Sequence, residues 1–155
     1  MLAVVQRVTN AAVSVSGTVC GSCEQGLMIL LGVCDTDTEA DVRLLCDKLV
    51  KLRIFYDGEG VKNLSLLDID GEALVVSNFT LCANYRSGNR PDYHRAAPPE
   101  RARVYYELFV ETLRKQLRRV ETGTFGAYMQ ISAALDGPVT LVLDSAVLAG
   151  PRRQA

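Results

Sequence analysis

The chain has 155 residues, 48% of them hydrophobic and 23% charged, which suits one domain with a sizeable core. Seventeen lysines and arginines stand against eighteen acidic residues, so bulk attraction to nucleic acid is excluded and any RNA contact must come from a local patch. No apolar run approaches the roughly 20 residues of a membrane span. Gln6 and Arg7 interrupt the N-terminal apolar run and no small-residue cleavage site follows, so a cytoplasmic protein is expected.

In chain order, Leu2–Val8 and Ala11–Val15 read as strands, with Val13, Val15 and Val19 alternating against polar neighbours. Cys20-Gly21-Ser22-Cys23 falls in a Gly-rich turn between strand-like runs. A zinc site would need about four ligands, but there is no second C-x-x-C and the lone His94 is remote in sequence. A thioredoxin-type dithiol should open a helix, so a plain hairpin turn is expected here. Leu27–Val33 is a continuous apolar run bounded by glycine, as in a strand buried on both faces. Thr36 and Glu39 have the spacing of a capping box, and Val42, Leu45, Cys46, Leu49 and Leu52 follow on one helical face.

Arg53–Tyr56 reads as a short strand closed by the turn Asp57-Gly58-Glu59-Gly60, and Ala73–Cys82 as a buried strand. The stretch Tyr85–Pro99 is irregular and carries Arg86, Arg90, His94 and Arg95 among Tyr85 and Tyr93. Pro98-Pro99 suits the start of a helix running from Arg101 to about Arg119, with Tyr105, Leu108, Phe109, Thr112 and Leu113 inward. Tyr128–Ala134 and Val139–Asp144 read as two strands joined at Leu135-Asp136-Gly137-Pro138. Cys34, Cys46 and Cys82 sit in or beside apolar runs as core residues, and five cysteines in an unsignalled chain argue against a disulfide framework. The pattern predicts a layered α+β domain, mixed or antiparallel sheets packed with two main helices, over residues 1–148 with a flexible tail at 149–155.

No nucleotide-binding glycine motif is present, and a Ser-His-Asp or Cys-His hydrolase cannot be assembled around His94. What remains is Ser77-Asn78-Phe79-Thr80-Leu81 at a strand end and Asp136-Gly137-Pro138-Val139-Thr140 at a turn. Strand alternation would put Ser77 and Phe79 on one side and Asn78 and Thr80 on the other. Hydroxyls here either close the strand by bonding local backbone or face a ligand. Gly137-Pro138 either redirects the chain or presents its carbonyls to a ligand, and a cis peptide is open to it.

These two segments resemble the signature segments of D-aminoacyl-tRNA deacylases. So, in family order, do Ala3–Val8, Gly26–Gly32, Arg53-Ile54-Phe55, Gly88-Asn89-Arg90-Pro91 and Met129-Gln130. The resemblance covers the chain to about Leu143. Asn78 stands where the family usually has glutamine, and Leu135 where it usually has asparagine. The resemblance implies hydrolysis of the ester joining a D-amino acid to the 3′ end of tRNA, with glycyl-tRNA also accepted and no metal or organic cofactor. It implies catalytic roles at Thr80, Ser77 and Phe79, and substrate binding and chiral selection by Gly137, Pro138, Asn78, Arg7 and Met129. It also implies a homodimer in which each active site joins the Ser77–Leu81 segment of one subunit to a Gly-cisPro inserted from the other, with Arg7 holding the inserted motif. Two other classes compete: a thiol redox protein using Cys20 and Cys23, and a non-catalytic RNA-binding module using the Arg86–Arg95 loop and the Arg114–Arg119 helix end.

Overall fold

The computed structural model describes residues 1–86 and 88–151. The elements are β1 (Leu2–Val15), β2 (Thr18–Cys23), β3 (Gly26–Gly32), α1 (Glu39–Val50), β4 (Phe55–Tyr56), β5 (Lys62–Leu64), β6 (Glu72–Ser77), a 3-10 turn (Phe79–Cys82), α2 (Pro99–Arg114), β7 (Val120–Thr122), β8 (Gln130–Asp144) and α3 (Ser145–Ala149). The expected layered α+β class holds, with a mixed six-stranded sheet against helices α1 and α2. β1 pairs antiparallel with β2, β3 and β8, whereas β3–β6 and β6–β7 are parallel.

The strands at the centre are buried on both faces because their side chains alternate between two cores. Leu27, Ile29 and Leu31 of β3, with Ala73 and Val75 of β6, pack against Leu45 and Leu49 of α1 and Phe109 and Leu113 of α2. Met28, Leu74 and Val76 point the other way, against Val8, Val13 and Cys23. Each fully buried leucine or isoleucine contributes about 1.5–3 kcal/mol, so the two cores together hold β3 and β6 rigidly. The parallel pairing is close: a Cβ on Gly26 would run into the Glu72 backbone carbonyl.

Several local expectations are corrected. The helix cap is Thr38 rather than Thr36; its backbone N–H and hydroxyl both donate to Asp41, at 2.9 and 2.8 Å. The start slips by two residues because Asp37 is already engaged. It pairs with the Met1 ammonium and accepts from the Cys34 N–H. The strand expected to reach Cys82 ends at Ser77, and α2 stops at Arg114, with Tyr106, Phe109, Val110 and Leu113 as its buried residues. β1 is continuous, as is β8, and the turn between β1 and β2 is Ser16-Gly17. Cys20 and Cys23 therefore lie within β2, not in a turn. Cys20 is the bulged residue opposite Val13 and Ser14 and is exposed, while Cys23 is buried. The helix α3 runs through Ala149, past the expected boundary at residue 148; of the tail, residues 152–155 lie outside the described residues.

Gly26→Ala should lower stability by about 1–3 kcal/mol through forced separation of β3 from β6, read by urea denaturation. An unchanged midpoint would show that the close approach at Gly26 is not limiting.

Candidate active site

The parallel ladder determines where the first signature segment emerges. Ser77, the last residue of β6, pairs with Leu31, and the Asn78 N–H makes one more rung to the Leu31 carbonyl at 2.8 Å. The chain then coils instead of extending: Leu81 N–H bonds the Asn78 carbonyl at 3.3 Å and Ala83 N–H the Thr80 carbonyl at 3.1 Å. The strand alternation expected for residues 77–80 is thereby lost. Ser77, Asn78, Phe79 and Thr80 all border the same cavity. The leading N–H groups of the turn, those of Phe79 and Thr80, make no backbone hydrogen bond among the described residues, as the first turn of any helix leaves them. The Thr80 hydroxyl donates to Asn78 Oδ1 at 2.5 Å.

The cavity measures about 930 Å³ and is mostly apolar, within the size range of small-ligand sites. Leu30 and Val76 lie at the sheet end, Ala102 and Tyr106 come from α2, and Phe125 to Met129 form another wall. Met129 thus joins the Ser77–Thr80 segment. Phe79 is 56% exposed and meets Tyr93 edge to face, with ring centroids 5.0 Å apart. Tyr93 and His94 bring the irregular loop to the rim. Burial pushes the Tyr106 phenol up to about 12 and its hydroxyl donates to the Val75 carbonyl at 2.8 Å, so it stays protonated near neutrality. Tyr106, Phe125 and Tyr128 were missed as cavity residues by reading the sequence. Their approach depends on how α2 and the loop after β7 fold back, and no local spacing encodes that.

Gly137, Pro138 and Arg7 do not border this cavity. They form a second constellation on β1 and β8. Between the rungs Gln6–Thr140 and Val8–Leu135, β1 has only Arg7 while β8 has Asp136, Gly137, Pro138 and Val139. Those four residues consequently protrude from the strand. Gly137 has φ of +134°, a region in which side-chain-bearing residues are strained. The Gly137–Pro138 peptide is cis, and both residues are exposed. Arg7, only 1% exposed, anchors the protrusion: its Nε donates to the Asp136 carbonyl at 3.2 Å and pairs with the Asp136 carboxylate at 2.9 Å. A second guanidinium nitrogen donates to the Ile54 carbonyl, and the guanidinium lies 5.0 Å from the Tyr56 ring centroid. A planar fork stacked on an aromatic ring is a geometry lysine cannot reproduce.

Cys20 is exposed and donates to the Val13 carbonyl at 3.4 Å, whereas Cys23 is buried. Arg118 and Arg119 are paired with Glu72, and Arg114 with Glu111. Among the described residues there is no group of His, Cys, Asp or Glu arranged to hold a metal ion, and no helix is long and apolar enough to cross a membrane.

A mixed sheet with a strand-end turn opening onto an apolar cavity of this size makes a small α/β protein with a site for a small ligand. Comparison with known proteins makes this specific: the D-Tyr-tRNA(Tyr) deacylase family pattern matches residues 4–144, and the chain belongs to that family. It is 56% identical over 153 residues to a D-aminoacyl-tRNA deacylase of Chloroflexus aurantiacus, covering 99% of this chain and 96% of that one. It is 53% identical over 146 residues to one of Thermosipho melanesiensis, covering 94% and 97%. Among solved structures it resembles a c-Myc DNA unwinding element binding protein at a TM-score of 0.88 and 42% identity, covering 93% of this chain and 98% of that one. It shares the fold of a probable eukaryotic D-amino acid tRNA deacylase at a TM-score of 0.79 and 16% identity, covering 92% and 97%.

Arg7→Lys should cost about 1.5–3 kcal/mol, the worth of a charge-assisted bond lost from a buried site. Arg43→Lys, whose partner Glu39 is exposed, should cost less than about 0.5 kcal/mol. Chemical denaturation of the two variants side by side checks the contrast.

Proposed function

We propose that the chain hydrolyses the ester of D-aminoacyl-tRNA, releasing free D-amino acid and tRNA, and that each active site is shared across a homodimer. The observation that carries the reading is the separation just described. The catalytic-type turn opens on one cavity, and the Gly137–Pro138 protrusion faces outward from another part of the same chain. One chain does not bring its two signature segments to a single site, whereas a two-fold pairing would complete two equal ones. β8 supports this assembly. Residues 130–135 are exposed throughout, Leu135 is 50% and Val142 72% exposed, and β8 pairs with β1 alone. A long apolar edge of this kind is ordinarily covered.

In this mechanism the terminal adenosine enters the apolar cavity, where Phe79 and Tyr93 offer ring faces and edges for stacking. The ester carbonyl oxygen takes the Phe79 and Thr80 N–H groups as its oxyanion hole. Water adds to the carbonyl carbon, assisted by the 2′-hydroxyl of the tRNA. The bond to the 3′-oxygen then breaks, and that oxygen leaves as a hydroxyl. Thr80, held by Asn78, orients the ester and Ser77 lines its approach. An aminoacyl ester is already activated, so positioning and electrostatics supply the acceleration. The partner's Gly137 and Pro138 carbonyls form a backbone wall that an L side chain would strike, while a D side chain or the hydrogen of glycine would not. Arg7 holds that wall in place. Met129 contributes apolar contact. The reaction needs no metal or organic cofactor, and we place the protein in the cytoplasm with tRNA as its partner.

Matched D- and L-tyrosyl-tRNA decide the matter when ester loss is followed over time. A clash of about 3 kcal/mol is roughly a hundredfold in rate, so D-tyrosyl-tRNA should be cleaved at least that much faster. Equal rates would sink the assignment. Thr80→Ala should retain measurable turnover, while tRNA ending in 2′-deoxyadenosine should react poorly. A covalent aminoacyl adduct trapped on Thr80 would instead make it the nucleophile.

A further inference from the structure

The fold separates the cysteines that the sequence pairs and pairs two that the sequence keeps apart. Cys34 lies just after β3, bridged to Ala96 of the loop that carries Tyr93 and His94; Cys82 closes the 3-10 turn that carries Phe79 and Thr80. Their sulfurs are 2.6 Å apart, inside ordinary sulfur contact and about half an ångström from bonding distance. Both are free thiols, 6% and 1% exposed.

We infer that Cys34 and Cys82 form an oxidisable dithiol whose closure to a disulfide reversibly turns down the adjacent active site. The oxidant is a small peroxide. The Cys34 thiolate attacks one peroxide oxygen, giving a sulfenic acid and hydroxide. The Cys82 sulfur then displaces the sulfenic hydroxyl as water, so two thiols and one hydrogen peroxide yield one disulfide and two waters. A dithiol reductant reverses the step by exchange.

Two features favour this pair over the other thiols. Cys34 is the more exposed of the two, and the Cys82 S–H hydrogen-bonded to it lowers its pKa against the opposing effects of burial and the nearby Asp37 carboxylate. Burial pushes Cys46 up to about 12 and Cys23 up to about 11, which leaves both as unreactive thiols. Closure would also act where it matters. Cys82 is two residues from Thr80, and the Thr80 carbonyl is bonded to the Ala83 N–H. Leu81 and Cys82 are packed so tightly over Gly32 that a Cβ there would touch both side chains. Closure at Cys82 therefore pulls on the tightly packed turn that carries the Phe79 and Thr80 N–H groups, and misplacement on the ångström scale at a reacting centre is costly.

The test treats a Cys20→Ser background, which removes the exposed thiol, with hydrogen peroxide. Peptides are then mapped under non-reducing conditions while D-tyrosyl-tRNA turnover is followed. A Cys34–Cys82 linked peptide, with a several-fold fall in turnover that dithiothreitol restores, is the expected result. Cys34→Ser and Cys82→Ser, each added to that background, should abolish both the link and the loss. The turnover arm rests on the deacylase reading; the peptide map does not, so failure of one is distinguishable from failure of the other. Peroxide treatment that leaves Cys34 and Cys82 unlinked overturns the dithiol, and a quantitative link with unchanged turnover overturns its control of the site.

Discussion

The parallel pairing of β3 with β6 is the constraint on which the rest of the molecule depends. Six rungs from Gly26–Glu72 to Leu31–Ser77 fix the end of β6 against the end of β3, and both strands are buried on each face. Only after that ladder runs out, with Asn78 bonded to Leu31, does the chain coil into the turn that presents Phe79 and Thr80. The turn is short and contributes little burial of its own. Its position comes from the strands beneath it, which is how a four-residue segment can hold a fixed place on the cavity wall.

The second constellation is built by the opposite device. β8 is exposed along most of its length and pairs only with β1, and Arg7 ties the Asp136–Val139 protrusion to that strand. Burying an arginine is expensive unless its donors are satisfied. Here Asp136, the Ile54 carbonyl and the Tyr56 ring together satisfy it. A rigid turn and an anchored protrusion on separate parts of one chain make chemical sense when they meet across a dimer. In the proposed dimer the protrusion is positioned independently of the turn, and each site would draw on both chains.

Much of this was legible in the residues because burial patterns are local. Leu27–Val33 read as a strand buried on both faces because its apolar run is unbroken, and the three buried cysteines stood among apolar neighbours. Local pattern failed where a longer-range bond competed with it. Thr36 and Glu39 have the spacing of a cap, but Asp37 between them is claimed by the distant Met1 ammonium, so Thr38 and Asp41 take over. Residues 77–80 alternate on paper, yet the ladder ends at Asn78 and the alternation ends with it. Cys20 and Cys23 advertised a motif that a strand bulge dissolves, and the proximity of Cys34 to Cys82 could not be read from a separation of 48 residues.

Shared active sites are the central claim, and subunit mixing tests them most directly. Gly137→Trp would obstruct the partner's cavity, and Ala127→Trp would obstruct a chain's own, so each variant alone should be inactive. In a mixed dimer one cavity is free of both lesions. Random re-pairing makes half the dimers mixed and leaves each with one good site of two, so about a quarter of the unmodified activity should return. Confirmed mixed dimers with no activity beyond the sum of the separate variants would contradict the account.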